Sequence, residues 1–407
     1  MQLDRRARRA RLADVHIVTL RDPSAPVVAR YAPSAGMIGI SLTDSGVELL
    51  GQRGGLDAYL AAGKTMGIPL LYPWANRLGE RRYRVDGEEV TLEPDAFGVR
   101  TDPNGLPIHG LLAGYPGWRV MTQSANELTA ELDFGADPAL LASFPFPHLV
   151  VMRVSLADRS LTVRSTVSAL GKPVPLCFGF HPYLQVPEAP RAQWVIETPR
   201  LRHLSLDERG LPTGDAVEQP PIHEALGDKV FDDGYDEVPE GAVFAVSGGG
   251  RRIEVHFEQG YPAAQIFAPA GEDVVCFEPM AAPTDALRRG GYRCAQPGQP
   301  PSRSSRFASS AWQIRRRTEA NATGTFLDLV SIAANISLGA GTLSKPGQEE
   351  QVSPAKTVPR STNCWTVRCG PSMPAIVRPR QPWPGRCYRQ TTATRKPRTC
   401  WRPRSLR

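Results

Sequence analysis

The chain has 407 residues, 41% of them hydrophobic and 22% charged, a globular composition that excludes collagen-like and wholly disordered readings. No run approaches about 18 consecutive apolar residues, which excludes a helical membrane span, and 39 prolines disfavour a helical bundle. The net charge of +7 is unevenly placed: residues 303–407 hold 19 Lys+Arg against 4 Asp+Glu, while residues 1–302 hold 29 against 37. An acidic body with basic ends offers no coherent cationic face, so nucleic acid is not an expected partner.

Residues 1–13 form an Arg-rich leader without the apolar stretch of a secretory signal, and disorder is expected there. Leu56–Ala62 reads as a short helix. Gly63-Lys64-Thr65 after it resembles the end of a phosphate loop, but Ala58 stands where the first glycine is required. Arg81, Arg82 and Arg84 read as the outer face of a strand ahead of the turn Asp86-Gly87. Pro138–Phe144 is a second helical patch. Met152, Val154 and Leu156 alternate with polar residues, and Leu161, Val163 and Ser165 continue the alternation after Asp158-Arg159. Leu176–Phe180 and Val274–Phe277 are apolar on both parities, as strands buried on two faces are. Arg252–Glu258 alternates strictly behind the turn Gly248-Gly249-Gly250. Many short strands joined by such turns predict an all-β fold, a large antiparallel β-sandwich, over residues 14–302.

Cys177, Cys276 and Cys294 fall in this body and read as buried thiols of a cytoplasmic protein. Past Pro300 the alternation is lost and Arg, Pro, Ser, Thr, Cys and Trp dominate. Residues 303–407 are therefore expected to be a disordered or aberrant tail, with Phe326–Leu338 its one apolar segment. Cys364, Cys369, Cys387 and Cys400 in it lack zinc-ligand spacing, and no metal site is expected.

Chemistry is expected where ionisable residues interrupt apolar strands. His181 follows Pro175–Phe180 and precedes Pro182; Glu278 follows Val274–Phe277 and precedes Pro279. A residue before proline is held extended, so both side chains are fixed at buried strand ends. A desolvated carboxylate there is a usable base, and an imidazole nearby is the complementary acid. Three further segments join them: Trp74-Ala75-Asn76-Arg77 after Pro73, Ile108-His109-Gly110, and Phe231-Asp232-Asp233-Gly234-Tyr235.

In order and in spacing, Pro73–Arg77, Ile108–Gly110, Gly179–Tyr183 and Phe277–Pro279 resemble the motifs of the aldose 1-epimerase (galactose mutarotase-like) family. The resemblance covers roughly Asp14–Gln299. It implies a galactose mutarotase-like supersandwich with a carbohydrate cleft on one sheet and no cofactor. It also implies that Glu278 is the general base and His181 the general acid. Arg77, His109 and Asp232 (or Asp233, since the doubled acid leaves the register open) are then substrate-binding, beside Asn76. Trp74 or Tyr183 is expected as an apolar floor under the sugar. The family's final strand has no evident counterpart after Pro297-Gly298, where Pro300-Pro301-Ser302-Arg303 follows.

The implied activity is interconversion of the α and β anomers of a free hexose by a monomer or homodimer. The alternatives are a hexose-6-phosphate 1-epimerase, for which Arg81, Arg82 and Arg84 are available cations, and a non-catalytic sugar-binding or regulatory module on the same scaffold.

Overall fold

The computed structural model of the chain describes residues 15–298 and 306–316; the leader 1–13 and Phe326–Leu338 lie outside them. Two antiparallel sheets dominate. In the larger, nine strands run in the order Ile222–Ala225, Val195–Thr198, Ala242–Gly248, Arg251–Phe257, Arg306–Arg316, Ser160–Ala169, His148–Ala157, Glu127–Asp133 and Arg119–Gln123. The second runs Pro212–Gln219, Leu201–Leu206, Phe231–Asp236, Ala263–Ala268, Val275–Met280, Gly179–Phe180 and Leu70–Leu71, with Tyr183–Leu184 also on Val275–Met280. A four-stranded sheet from Val18 to Glu48 precedes them.

The turns expected from sequence are those that pin the register. Ala157 pairs with Ser160 across Asp158 and Arg159, both at positive φ, the geometry of a two-residue hairpin turn. Val85 pairs with Glu88 across Asp86-Gly87, and Gly248 with Arg251 across Gly249-Gly250, in the same way. Alternate residues of the two large sheets then meet in one core that includes Val163, Ile253, Val255, Ile266 and Phe277. Phe244 of the nine-stranded sheet lies 5.6 Å, ring to ring, from Phe277 of the other. This is the antiparallel β-sandwich that the alternation predicts.

Two local readings change. The first helix is Gly55–Ala62, but the second is only Pro138–Leu141, a single turn capped by Asp137 and finished before Phe144. More consequential is the end of the domain. A boundary after Ser302 is wrong, because Arg306–Arg316 lies between Arg251–Phe257 and Ser160–Ala169. Ile253 and Leu161 pair with Ile314 and Trp312 of that strand. Without it both neighbours would be left with open ladders in mid-sheet. Ile314 is buried, and its backbone exchanges hydrogen bonds with the Arg159 carbonyl (3.1 Å) and guanidinium (3.0 Å).

Candidate active site

Strand parity decides which face of the second sheet carries polar chemistry. Val275 and Phe277 point into the main core, so Cys276 and Glu278 point away from it. Glu278 pairs across the sheet with Gln265, which pairs with Gly234. One step along the same face, Tyr183, Cys276, Phe267 and Asp232 form a second row. The strand carrying Glu278 continues through Pro279 to Met280 rather than ending at the carboxylate. Gly179 is required beside it, since a Cβ there would stand 2.6 Å from the Pro279 carbonyl oxygen.

His181 leaves the short strand Gly179–Phe180 and places Nε2 3.3 Å from Glu278 Oε1. Both residues are buried. Burial raises the Glu278 carboxyl well above the usual carboxylate range, Asp232 adding to the effect and Arg77 opposing it. Burial likewise lowers His181 well below the ordinary histidine value, with smaller contributions from His109 and Arg53. Burial thus disfavours the charged form of each partner.

The other motifs close around this pair. Residues 73–77 and 107–111 run side by side: His109 N–H donates to the Asn76 carbonyl (3.0 Å), Leu78 N–H to that of Pro107 (2.8 Å) and Leu111 N–H to that of Tyr72 (2.6 Å). Gly110, at φ 66°, permits this, because a Cβ would lie 2.0 Å from the Tyr72 carbonyl oxygen. Asn76 and His109 both occupy the left-handed region, an uncommon backbone state retained where the surroundings impose it. The His109 ring stands edge-on to His181 at 5.5 Å, and its imidazole is pushed down to about 3 by burial, then by Arg100 and Arg77. Arg77 is fixed on three sides. Its Nε donates to Asp102 Oδ2 (2.9 Å), Nη1 to Asn76 Oδ1 (3.1 Å) and Nη2 to Asp232 Oδ2 (3.3 Å).

Of the two adjacent acids, Asp232 faces the site. It pairs with Arg77 and accepts from Gln265 Nε2 at 2.7 Å. Asp233 points to the opposite face and meets His203 at 3.1 Å. The expected apolar floor is not where the sequence suggested. Trp74, 1% exposed, belongs to the core between the sheets, so its indole cannot present a face to a ligand. Tyr183, also 1% exposed, stacks on the His181 imidazole at 4.3 Å and 12°, so its ring face is already taken. The half-buried ring on this face is Phe267, edge-on to His181 at 5.6 Å.

Gln265, Asp102 and Phe267 were missed by the sequence reading. A lone polar residue inside Ala263–Ala268 was a usable signal for Gln265, the same signal that marks Glu278. Among the described residues, four buried polar atoms of the site have no hydrogen-bond partner: His181 Nδ1, Glu278 Oε2, His109 Nδ1 and Gln265 Oε1. Unpaired buried donors and acceptors are costly, and a ligand rich in hydroxyls would satisfy them. Among the described residues, no three His, Cys, Asp or Glu converge as metal ligands would. Nor is any helix there long and apolar enough to cross a membrane.

Comparison with known proteins identifies the family and the fold. The family model for aldose 1-epimerase matches residues 37–300. The uncharacterised protein YihR of Escherichia coli strain K12 is 27% identical over 148 residues, 35% of this chain and 44% of that protein. The chain thus spans under half the length of that curated relative. Among solved structures, the Slr1438 protein of Synechocystis sp. PCC 6803 superposes with a TM-score of 0.59 at 23% identity, over 76% of this chain and 98% of that one. A galactose mutarotase-like protein of Clostridium acetobutylicum gives 0.61 at 15% identity, over 75% and 100%. These two likenesses concern the fold.

Proposed function

Because the chain belongs to the aldose 1-epimerase family, we propose that it interconverts the α and β anomers of a free hexose. The observation that carries this reading is the buried His181–Glu278 contact at 3.3 Å on the face that also holds Asp232 and Arg77. Binding a sugar needs no desolvated acid–base pair, which disfavours the non-catalytic module.

In this reading Glu278 removes the proton of the C1 hydroxyl while His181 delivers one to the ring oxygen O5. The C1–O5 bond breaks as the C1 carbonyl forms. Rotation about C1–C2 presents the other face of the aldehyde, and the reverse transfers close the ring with both residues restored. The resting pair, with its proton on the carboxyl, and the reactive pair, with its proton on the imidazole, contain the same number of protons. Sugar hydroxyls donating to the open Glu278 Oε2 favour the reactive arrangement. Arg77, His109, Asn76, Asp232 and Gln265 supply donors and acceptors for the remaining hydroxyls and the open-chain oxygen. An unphosphorylated sugar is favoured because Arg82 and Arg84 lie on the exposed face of a hairpin strand, Arg84 paired with Glu89. Polarimetry of freshly dissolved α-glucose, α-galactose and glucose 6-phosphate tests the proposal. Acceleration of a free hexose supports it, acceleration of the phosphate ester alone replaces it with the phosphate reading, and no acceleration of any of them overturns it.

A further inference from the structure

Asp285 is a buried carboxylate outside the reacting pair. It is 3% exposed and stands at φ 66°, a left-handed state that Asp and Asn enter more readily than other non-glycine residues. Its N–H donates to the Arg77 carbonyl (3.0 Å), and its Oδ1 accepts from Gly79 N–H (2.8 Å). Its Oδ2 accepts from Arg288 Nη1 (2.9 Å), and Arg288 reaches on to Glu80 Oε1 (2.7 Å) and the Arg82 carbonyl (3.0 Å). The Asp285 carbonyl accepts from Arg288 and Arg289 N–H, at 3.0 Å each, at the start of the single helical turn Ala286–Arg289. Residues 77–82 are thus gripped by the segment that follows the Glu278 strand.

Arg77 is held at both ends. Near the tip Nε donates to Asp102, and at the root the carbonyl accepts from Asp285. The contact with Asp232, at 3.3 Å, is the longest of the three that the guanidinium makes. Its other anchors, Asp102 and the residues around Pro107, belong to one loop that closes on itself. There Thr101 pairs with Pro107, and Asp102 Oδ1 accepts from Asn104 and Leu106 N–H at 2.9 Å. Asp285 couples Arg77 and that loop to the strand that carries Glu278.

We propose that Asp285 is a positioning residue which, by clamping the Arg77–Gly79 backbone to the segment after Glu278, sets the reach of the Arg77 guanidinium into the site. The inference rests on the reading of Arg77 as a sugar-binding group. A guanidinium is a planar fork on a long stem, and its donors bind well only when the fork is oriented. Fixing the root and the tip together orients it before the sugar arrives.

Asp285→Asn is isosteric, tolerates the left-handed backbone and keeps an acceptor for Gly79, but it turns a donor toward Arg288. Asp285→Gly keeps the backbone state and removes the whole carboxylate. Both should raise KM for the accepted hexose by about tenfold, with kcat changed far less. In an Arg77→Ala background neither should raise KM further, because nothing is left to position. Glu80→Gln removes a charge from the same cluster and should leave KM unchanged. Independently of activity, the ¹⁵N–¹H Nε signal of Arg77 in the full-length chain is assigned by its loss in Arg77→Ala. It should shift in both Asp285 variants and stay in place in Glu80→Gln. Should the wild type turn over no sugar, this signal alone decides the clamp, and the mutarotase reading fails separately. A merely structural Asp285 would lower the thermal midpoint while KM and the Arg77 signal stayed unchanged, and that result overturns the proposal. So does a KM penalty that persists in full on top of Arg77→Ala, or an equal signal shift in Glu80→Gln. Were neither Asp285 variant to fold, Arg288→Gln, which frees Oδ2 from a half-buried position, is read by the same signal. A shifted Arg77 signal then supports the clamp and an unchanged one overturns it.

Discussion

Glu278 and His181 are opposed in kind as well as in position, since burial pushes the carboxyl up and the imidazole down. Each is therefore disposed to exchange a proton with a hydroxyl of intermediate environment, which an ordinary solvated pair is not. Glu278→Gln and His181→Asn should each lower mutarotation by at least about a hundredfold with the fold intact; near-wild-type rates in both would end the assignment. The neighbouring charges give a signed test. The acid limb of the rate profile marks gain of a second proton by the pair, and the alkaline limb marks loss of the last. Asp232 raises the Glu278 carboxyl and Arg77 lowers it. Asp232→Asn should therefore move the acid limb to lower pH and Arg77→Ala should move it higher, each by about half a unit. Both variants should also raise KM. Shifts in the same direction would mean that the pair does not govern the profile.

At the scale of elements, what the sequence disclosed and what it hid have physical reasons. Turns such as Asp86-Gly87 and Gly249-Gly250 were legible because positive φ restricts residue choice. His181 and Glu278 were legible because an ionisable residue in an apolar run is costly to bury. The face they share was not, since Val275–Met280 is buried on both sides and its parity carries no contrast. Asp232 and Asp233 were separated only by pairing register, which places Gly234 opposite Gln265. The strand Arg306–Arg316 was obscured by composition: Ser310, Trp312 and Ile314 alternate with Gln313 and Arg315, but only over a few residues beside an Arg-rich stretch. Its position predicts the outcome of truncation. Ending the chain after Ser302 should give insoluble or unfolded protein by circular dichroism, while ending it after Arg316 should preserve both fold and mutarotation. A soluble, active 1–302 fragment would show that the strand is dispensable.

For the whole molecule, moving the boundary changes the charge that the sandwich carries. Residues 1–316 contain 33 Lys+Arg and 37 Asp+Glu, a net of −4, whereas residues 317–407 contain 15 and 4, a net of +11. Each matched motif and all seven histidines belong to the first group, so the proposed sugar site and the positive excess occupy different parts of the chain. A neutral hexose gains little from long-range attraction, because steering acts on charged ligands. Mutarotation by the full chain should accordingly vary little between about 0.05 and 0.5 M salt, concentrations over which the screening length shortens several-fold. Adsorption to a polyanion such as heparin should instead be strong at low salt and fall steeply as salt rises, following the number of cations displaced. Truncation after Arg316 reverses the sign of the net charge and should abolish that adsorption while leaving the catalytic rate alone. Retention of the truncated protein on heparin would place the responsible cations on the sandwich. Loss of rate in parallel with loss of adsorption would tie the two parts of the chain together functionally, contrary to the separation that the charge distribution implies.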